Sequence, residues 1–114
     1  MMDLSFKEKE GKLIVSLKGD FDLHTAPGFK EAITKKINPQ IRGLILNLDG
    51  IKFIDSSGLG AILVSYKKIK GLGGELGLLN VTPQVRRIFE LSGMLKIINL
   101  YSSEKEALDN IFRG

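Results

Sequence analysis

An aspartate, two serines and two glycines crowd into one stretch, Asp55-Ser56-Ser57-Gly58-Leu59-Gly60. An oxygen side chain at a helix entrance accepts hydrogen bonds from the first free amides, so Asp55, Ser56 and Ser57 are all candidate caps. A serine hydroxyl is also a nucleophile when a base lies within reach, and a phosphate acceptor when a kinase supplies the chemistry. One cap is enough for one helix, and three are on offer. The glycines weaken a helix by up to roughly 1 kcal/mol each relative to alanine if they lie in its interior. One explanation is that another backbone approaches closely here. These excesses point to a modification and docking site, with one of the three side chains kept for capping.

Other chemistries find less support. His24 is the only histidine and there is no cysteine. A small serine hydrolase would need Ser56 or Ser57 with His24 as base and an acid to orient it. The G-x-S-x-G elbow of such enzymes is absent. Asp20, Asp22 and His24 alternate, as hard-cation ligands can, but a polar loop leading to a helix reads the same way, and no metal is expected. Gly71-Leu72-Gly73-Gly74 follows a helix pattern and lacks the G-K-[ST] ending of a phosphate loop, so it is a turn. Gly58-Leu59-Gly60 does open a helix, but the third glycine of a dinucleotide fingerprint is missing. Weak nucleotide binding at that helix start stays open as an alternative. No cofactor is expected.

The 114 residues fit one domain, spanning 1–114, with a core of Leu, Ile and Val. Without cysteine, neither a disulfide framework nor a thiolate zinc site can form. The start, Met1-Met2-Asp3-Leu4-Ser5, has no basic region and no long apolar run, so it is not a signal peptide. No apolar run nears the roughly 20 residues that span a bilayer, so a soluble, cytoplasmic protein without membrane contact is expected. The formal charge is +4, but Lys and Arg are interleaved with Asp and Glu. That is an ordinary solvated surface, and no nucleic-acid partner is expected.

The elements that position the stretch follow from pattern. Leu4 and Phe6 alternate with polar neighbours, Glu10-Gly11 turns, and Leu13, Val15 and Leu17 alternate again. The two runs predict an antiparallel hairpin. Gly19-Asp20-Phe21-Asp22 is expected to leave the sheet as a loop. Thr25 is a candidate N-cap with Pro27 in the first turn, and Phe29, Ala32, Ile33 and Ile37 form a helical stripe broken only by Lys36. Asn38-Pro39 stops it. The nearly all-apolar run from Leu44 to Leu48 predicts a strand covered on both faces. The serine-glycine stretch comes next, then a helix over roughly 57–70, with Gly71 expected as its C′ residue.

Glu75 to Leu79 predicts a further strand. Thr82-Pro83 opens a short helix with Val85, Ile88 and Phe89 inward, ended by Ser92-Gly93. Ile97 to Leu100 predicts the last strand. Ser103 and Glu106 suggest a capping box for a final helix with Ala107, Leu108, Ile111 and Phe112 inward. The fold class is therefore α/β, a mixed, mostly parallel sheet of about five strands with about four helices in the order β-β-α-β-α-β-α-β-α. The first strand is its antiparallel edge.

Ile54-Asp55-Ser56-Ser57-Gly58-Leu59-Gly60-Ala61-Ile62-Leu63 resembles the signature of STAS domains, in particular bacterial anti-anti-sigma factors of the sporulation sigma-F type. Gly19 to Ala26 is similar to that family's first loop. Tyr66 to Lys70 with Gly73-Gly74-Glu75, and Ser92-Gly93 with Lys96-Ile97-Ile98, also match. The resemblance implies a STAS fold and a non-enzymatic regulator of transcription that works by partner switching. The unmodified protein would bind an anti-sigma factor that is also a serine kinase, freeing a sigma factor. The kinase would use ATP to phosphorylate Ser56, and a PP2C-type phosphatase would reverse this. Asp22, His24, Thr25, Asp55, Ser57, Gly58, Leu59 and Gly60 are then the expected partner-binding residues. A nucleotide-sensing STAS module, binding GTP or ATP at the same helix start, is the alternative. Phe21 departs from close relatives, which often carry a smaller aliphatic residue there, and the departure bears on which kinase is recognised.

Overall fold

A computed structural model describes residues 2–111. Phe112, expected on the last helix, lies outside the described residues. Five strands form one sheet in the order β1-β2-β3-β4-β5. They are β1 (Met2–Lys9), β2 (Lys12–Phe21), β3 (Gly43–Ile54), β4 (Glu75–Leu79) and β5 (Asn99–Tyr101). The helices are α1 (Ala26–Lys36), α2 (Ser56–Gly71), α3 (Pro83–Ser92) and α4 (Glu104–Asn110), with one 3-10 turn at Met94–Lys96. β1 pairs antiparallel with β2, and every later pairing is parallel. This is the architecture the alternating pattern predicts.

The two faces of the sheet are covered unequally. Leu13, Val15 and Leu17 of β2, Leu44, Leu46 and Leu48 of β3, and Leu76 and Leu78 of β4 join one core with Phe29, Ile33, Ile62, Ile69, Val85 and Phe89 of α1, α2 and α3. On the other face, Ile14, Ile45 and Leu79 pack on Ala107 and Ile111 at the C-terminal end of the chain. The period-two alternation of each strand sends neighbouring residues to opposite layers. Burial on both faces explains why β3 opens as an unbroken apolar run. Lys36, the one polar residue in the α1 stripe, is exposed, with its Nζ 5.1 Å from the centroid of the Phe6 ring.

Several boundaries differ from expectation. Gly19-Asp20-Phe21 is not a loop. β2 continues through Phe21, pairing Gly19 with Ile51, Asp20 with Phe53 and Phe21 with Ile54 across two register shifts. Phe21 is fully buried and meets Phe29 edge-to-face at 4.8 Å, so core packing holds this segment in the sheet. β5 begins at Asn99, because Met94–Lys96 takes a 3-10 turn and leaves Ile97 exposed. Ser103 caps α4 by accepting from the Glu106 amide at 3.0 Å. The Glu106 carboxylate instead accepts from the amide of Ser102, so the reciprocal half of the capping box falls one residue early.

The end of α2 is also displaced. Gly71 is still helical and the C-cap is Leu72. The left-handed C′ residue is Gly73, at φ +87°. The Gly74 amide donates to the Ile69 carbonyl at 2.8 Å and the Gly73 amide to Lys70 at 3.0 Å. That crossed pair is a Schellman motif, and it needs the positive φ at its C′ position. The motif turns the chain straight into β4.

The two glycines therefore respond oppositely to a methyl group. Gly73→Ala is expected to cost about 1 kcal/mol through strain at positive φ. Gly71→Ala, with open space around it and a helical backbone, is expected to stabilise by up to about 1 kcal/mol. Urea denaturation of the two variants checks the sign of each change.

Candidate phosphoacceptor and docking site

β3 ends at Ile54 and α2 begins at Ser56, so Asp55 is the hinge residue and the N-cap. Its Oδ1 accepts from the Ser57 amide at 2.8 Å and the Gly58 amide at 3.0 Å. Its Oδ2 accepts from the Leu23 amide at 3.2 Å. Its own amide donates to the Phe21 carbonyl at 3.1 Å. Of the three candidate caps the aspartate wins, because one carboxylate serves two helix amides and still has an oxygen for the neighbouring loop. Both serines are thereby released from capping.

Ser56 occupies the first helical position and is exposed, whereas Ser57 is half-buried. Next comes Gly58, which is buried. A methyl group there would run into the Phe21 carbonyl oxygen and stand 2.8 Å from Ile54 Cγ1. The close backbone approach expected at these glycines is thus made by the protein's own β2. Gly58 shapes the site from beneath. Gly60 is different: it is exposed, with no atom within 4 Å of where a Cβ would sit. Leu59 is half-buried between them.

The loop from β2 to α1 forms the second wall. The Asp22 Oδ1 accepts from the His24 amide at 2.9 Å and the Thr25 amide at 3.2 Å. Thr25 stands at the N-cap position of α1, but its side chain does not cap that helix. Its hydroxyl donates to the Asp20 carbonyl at 2.8 Å and accepts from the Asp22 amide at 2.9 Å. The loop's own bonds have captured the expected cap. Partial desolvation raises the pKa of the Asp22 carboxyl, yet the His24 and Thr25 amides, the charge of His24 and the Thr25 hydroxyl outweigh it and leave the group below its ordinary value.

Two contributors were missed by pattern reading. Leu23 is 66% exposed and Phe53 is 52% exposed. Leu23 is the residue whose amide Asp55 holds, and Phe53 lies two residues before Asp55, paired with Asp20 across the sheet. They add apolar surface beside an otherwise polar site, the composition of a protein-docking patch. No sequence signal marked Phe53: period-two alternation would place it on the face of buried Ile51, and it is the register shift between the Gly19–Ile51 and Asp20–Phe53 pairs that leaves Ile51 and Ile54 inside and the aromatic outside. Phe21, in contrast, is wholly interior, so it presents no surface to a partner and acts through its packing on Phe29 and under Gly58.

The remaining candidates can be placed. Among the described residues no hydrogen bond joins the His24 ring to Ser56 or Ser57. No group of three or more His, Asp or Glu able to hold a metal ion occurs among the described residues. Likewise, no helix of the described residues is long and apolar enough to cross a membrane.

The fold and this site define a family, and comparison agrees. The STAS domain pattern matches residues 3–107, and the chain belongs to the STAS domain family. Within it, an anti-sigma F factor antagonist of Paenibacillus polymyxa is 37% identical over 114 residues, covering 96% of this chain and 95% of the relative. A crystal structure of an anti-sigma factor antagonist from Mycobacterium paratuberculosis superposes with a TM-score of 0.87 at 27% identity, covering 97% and 94% of the two chains. The Bacillus cell fate determinant SpoIIAA in its phosphorylated form superposes with a TM-score of 0.74 at 26% identity, covering 94% and 97%.

Two measurements test this geometry. Gly58→Ala is expected to destabilise by about 1–3 kcal/mol through overpacking against the Phe21 backbone, while Gly60→Ala stays neutral or stabilises; thermal melts of the pair decide. A carboxyl carbon-13 NMR titration is expected to give Asp22 a midpoint below 3.8. A group with a depressed folded-state pKa favours the ordered loop above its unfolded value. The loop therefore loosens as pH falls through the folded midpoint, in the acid range and not near neutrality.

Proposed function

We propose that the protein is an anti-sigma factor antagonist switched off by phosphorylation of Ser56. The observation that carries the reading is the division of labour at the entrance of α2. Asp55 caps the helix with Oδ1 and holds the Leu23 amide with Oδ2, which leaves an exposed serine hydroxyl at the first helical position, with apolar Leu23 and Phe53 exposed in the adjoining loop and strand end. The names of the relatives support the class of partner, and the phosphorylated SpoIIAA structure supports modification as the means of control.

In the unmodified state, the loop of Asp22, His24 and Thr25 and the start of α2, with Asp55, Ser57, Leu59 and Gly60, form the docking face for an anti-sigma factor with serine-kinase activity. Gly58 acts beneath that face. Docking frees a sigma factor in the cytoplasm. The partner supplies ATP and the catalytic groups; this chain supplies the hydroxyl. A PP2C-type phosphatase restores the unmodified form.

The physics of the switch is local. Phosphoserine brings about −1.5 to −2 charges at neutral pH. In the free protein the helix dipole and solvent accommodate that charge at the first turn of α2, so the fold is kept. In the complex the same charge is desolvated next to the Asp55 carboxylate. A buried charge without a cationic partner costs about 3–5 kcal/mol, a loss of hundredfold or more in affinity.

Incubation with a cognate anti-sigma kinase and ATP, followed by peptide mapping, is expected to place the phosphate on Ser56. Ser56→Ala is expected to bind the partner and resist inactivation. Ser56→Asp is expected to weaken binding at least tenfold while its circular dichroism matches the wild type. Phosphate on Ser57 instead, or full binding by Ser56→Asp, overturns the assignment.

A further inference from the structure

The two edges of the sheet are not alike. β5 has only three residues, a common way to blunt an edge. β1 is eight residues long, contains no proline or glycine, and pairs with β2 in continuous register from Met2 to Lys9 without a bulge. Among the described residues no other element pairs with its outer side. A regular strand with an open edge is a template for another strand.

Its side chains specify which strand fits. Met2, Leu4 and Phe6 are half-buried toward the α1 layer, while Asp3, Ser5 and Lys7 are exposed on the opposite face. When two copies pair antiparallel with their helices on the same sides, residues of like parity stand opposite one another. Centring the pair on Ser5 sets Asp3 against Lys7 of the second copy, twice by symmetry. It also sets Leu4 against Phe6, twice, and Ser5 against itself. Centring on Phe6 instead would set Leu4 against Glu8, and centring on Leu4 would leave Lys7 beyond the overlap. Centring on Phe6 does oppose Asp3 and Lys9, and centring on Ser5 sets Met2 against Glu8 at the two ends; only the Ser5 register combines opposed charges with the Leu4–Phe6 contacts at its centre. Lys7 already reaches Glu104 at 3.0 Å, so its ammonium stands on the face where Asp3 of the second copy would arrive.

We propose that β1 is a self-association edge, through which a second copy of this chain pairs antiparallel about Ser5 and joins two five-stranded sheets into one. The inference stands apart from the proposed phosphorylation switch and does not rest on it. Edge pairing of one strand buries little surface, so the dimer is a weak, concentration-dependent one.

Sedimentation equilibrium of the full chain over about two decades of concentration is expected to show reversible dimerisation. Asp3→Lys and Lys7→Glu each put like charges opposite one another twice, and each is expected to weaken self-association about tenfold or more. An equimolar mixture of the two single variants restores both complementary pairs and is expected to associate as the wild type does. The double variant D3K/K7E is expected to dimerise again by itself. For the unaltered protein, amide hydrogen exchange in β1 is expected to slow as concentration rises. A wild type that stays monomeric throughout, single variants that dimerise undiminished, or a mixture that fails to associate overturns the proposal.

Discussion

The structure around the site depends on one carboxylate. Asp55 accepts from Ser57 and Gly58 at the start of α2 and from Leu23 in the loop before α1, segments more than thirty positions apart in the chain. Bonds to an ionised acceptor are stronger than those between neutral groups, and here three donors converge on one side chain. The second loop is thereby held against the first turn of the helix. Beneath them, the Phe21 carbonyl accepts the Asp55 amide and packs where Gly58 has no side chain. Cap, loop and glycine form one interlocked unit, and Ser56 is the hydroxyl that stands outside it.

That arrangement suits a switch operated by charge. A serine used as a cap would lose its hydrogen bond on modification, and the helix entrance would have to rearrange. With Asp55 holding the amides, the Ser56 oxygen can change its charge while the backbone stays in place. The effect then falls on whatever docks against the site, where desolvation makes the added charge expensive. Under the proposed switch, exposed Leu23 and Phe53 would supply apolar contact to such docking.

Much of this was legible from residue order. The alternation of Leu13, Val15 and Leu17, the apolar run from Leu44 to Leu48, and the helical stripes after Pro27 and Pro83 are local signals, and they produce strands and helices where expected. The serine-glycine stretch stood out as a candidate site for the same reason: its residue types exceed what a helix start requires. Where reading failed, a specific packing or hydrogen-bond contact had overridden the expected pattern. Gly19-Asp20-Phe21 has turn composition, but Phe21 finds Phe29 and the segment stays in β2. Thr25 has the side chain of a cap, but Asp20 and Asp22 engage its hydroxyl. Gly71 sits at the expected helix end, yet the Schellman bonds form two residues later, where Gly74 packs on Ile69.

By itself, the sequence determined the order of elements, the mixed sheet and the placing of the serine-glycine stretch at a helix entrance, because hydrophobic period and capping chemistry are properties of neighbouring residues. Only the tertiary structure decided what each residue of that stretch does. Which of three oxygens would cap depended on the Leu23 amide arriving from another loop. Whether Gly58 opened space for a partner or for the chain itself depended on where β2 ended. Such outcomes are set by contacts between segments far apart in sequence, and no local pattern records them.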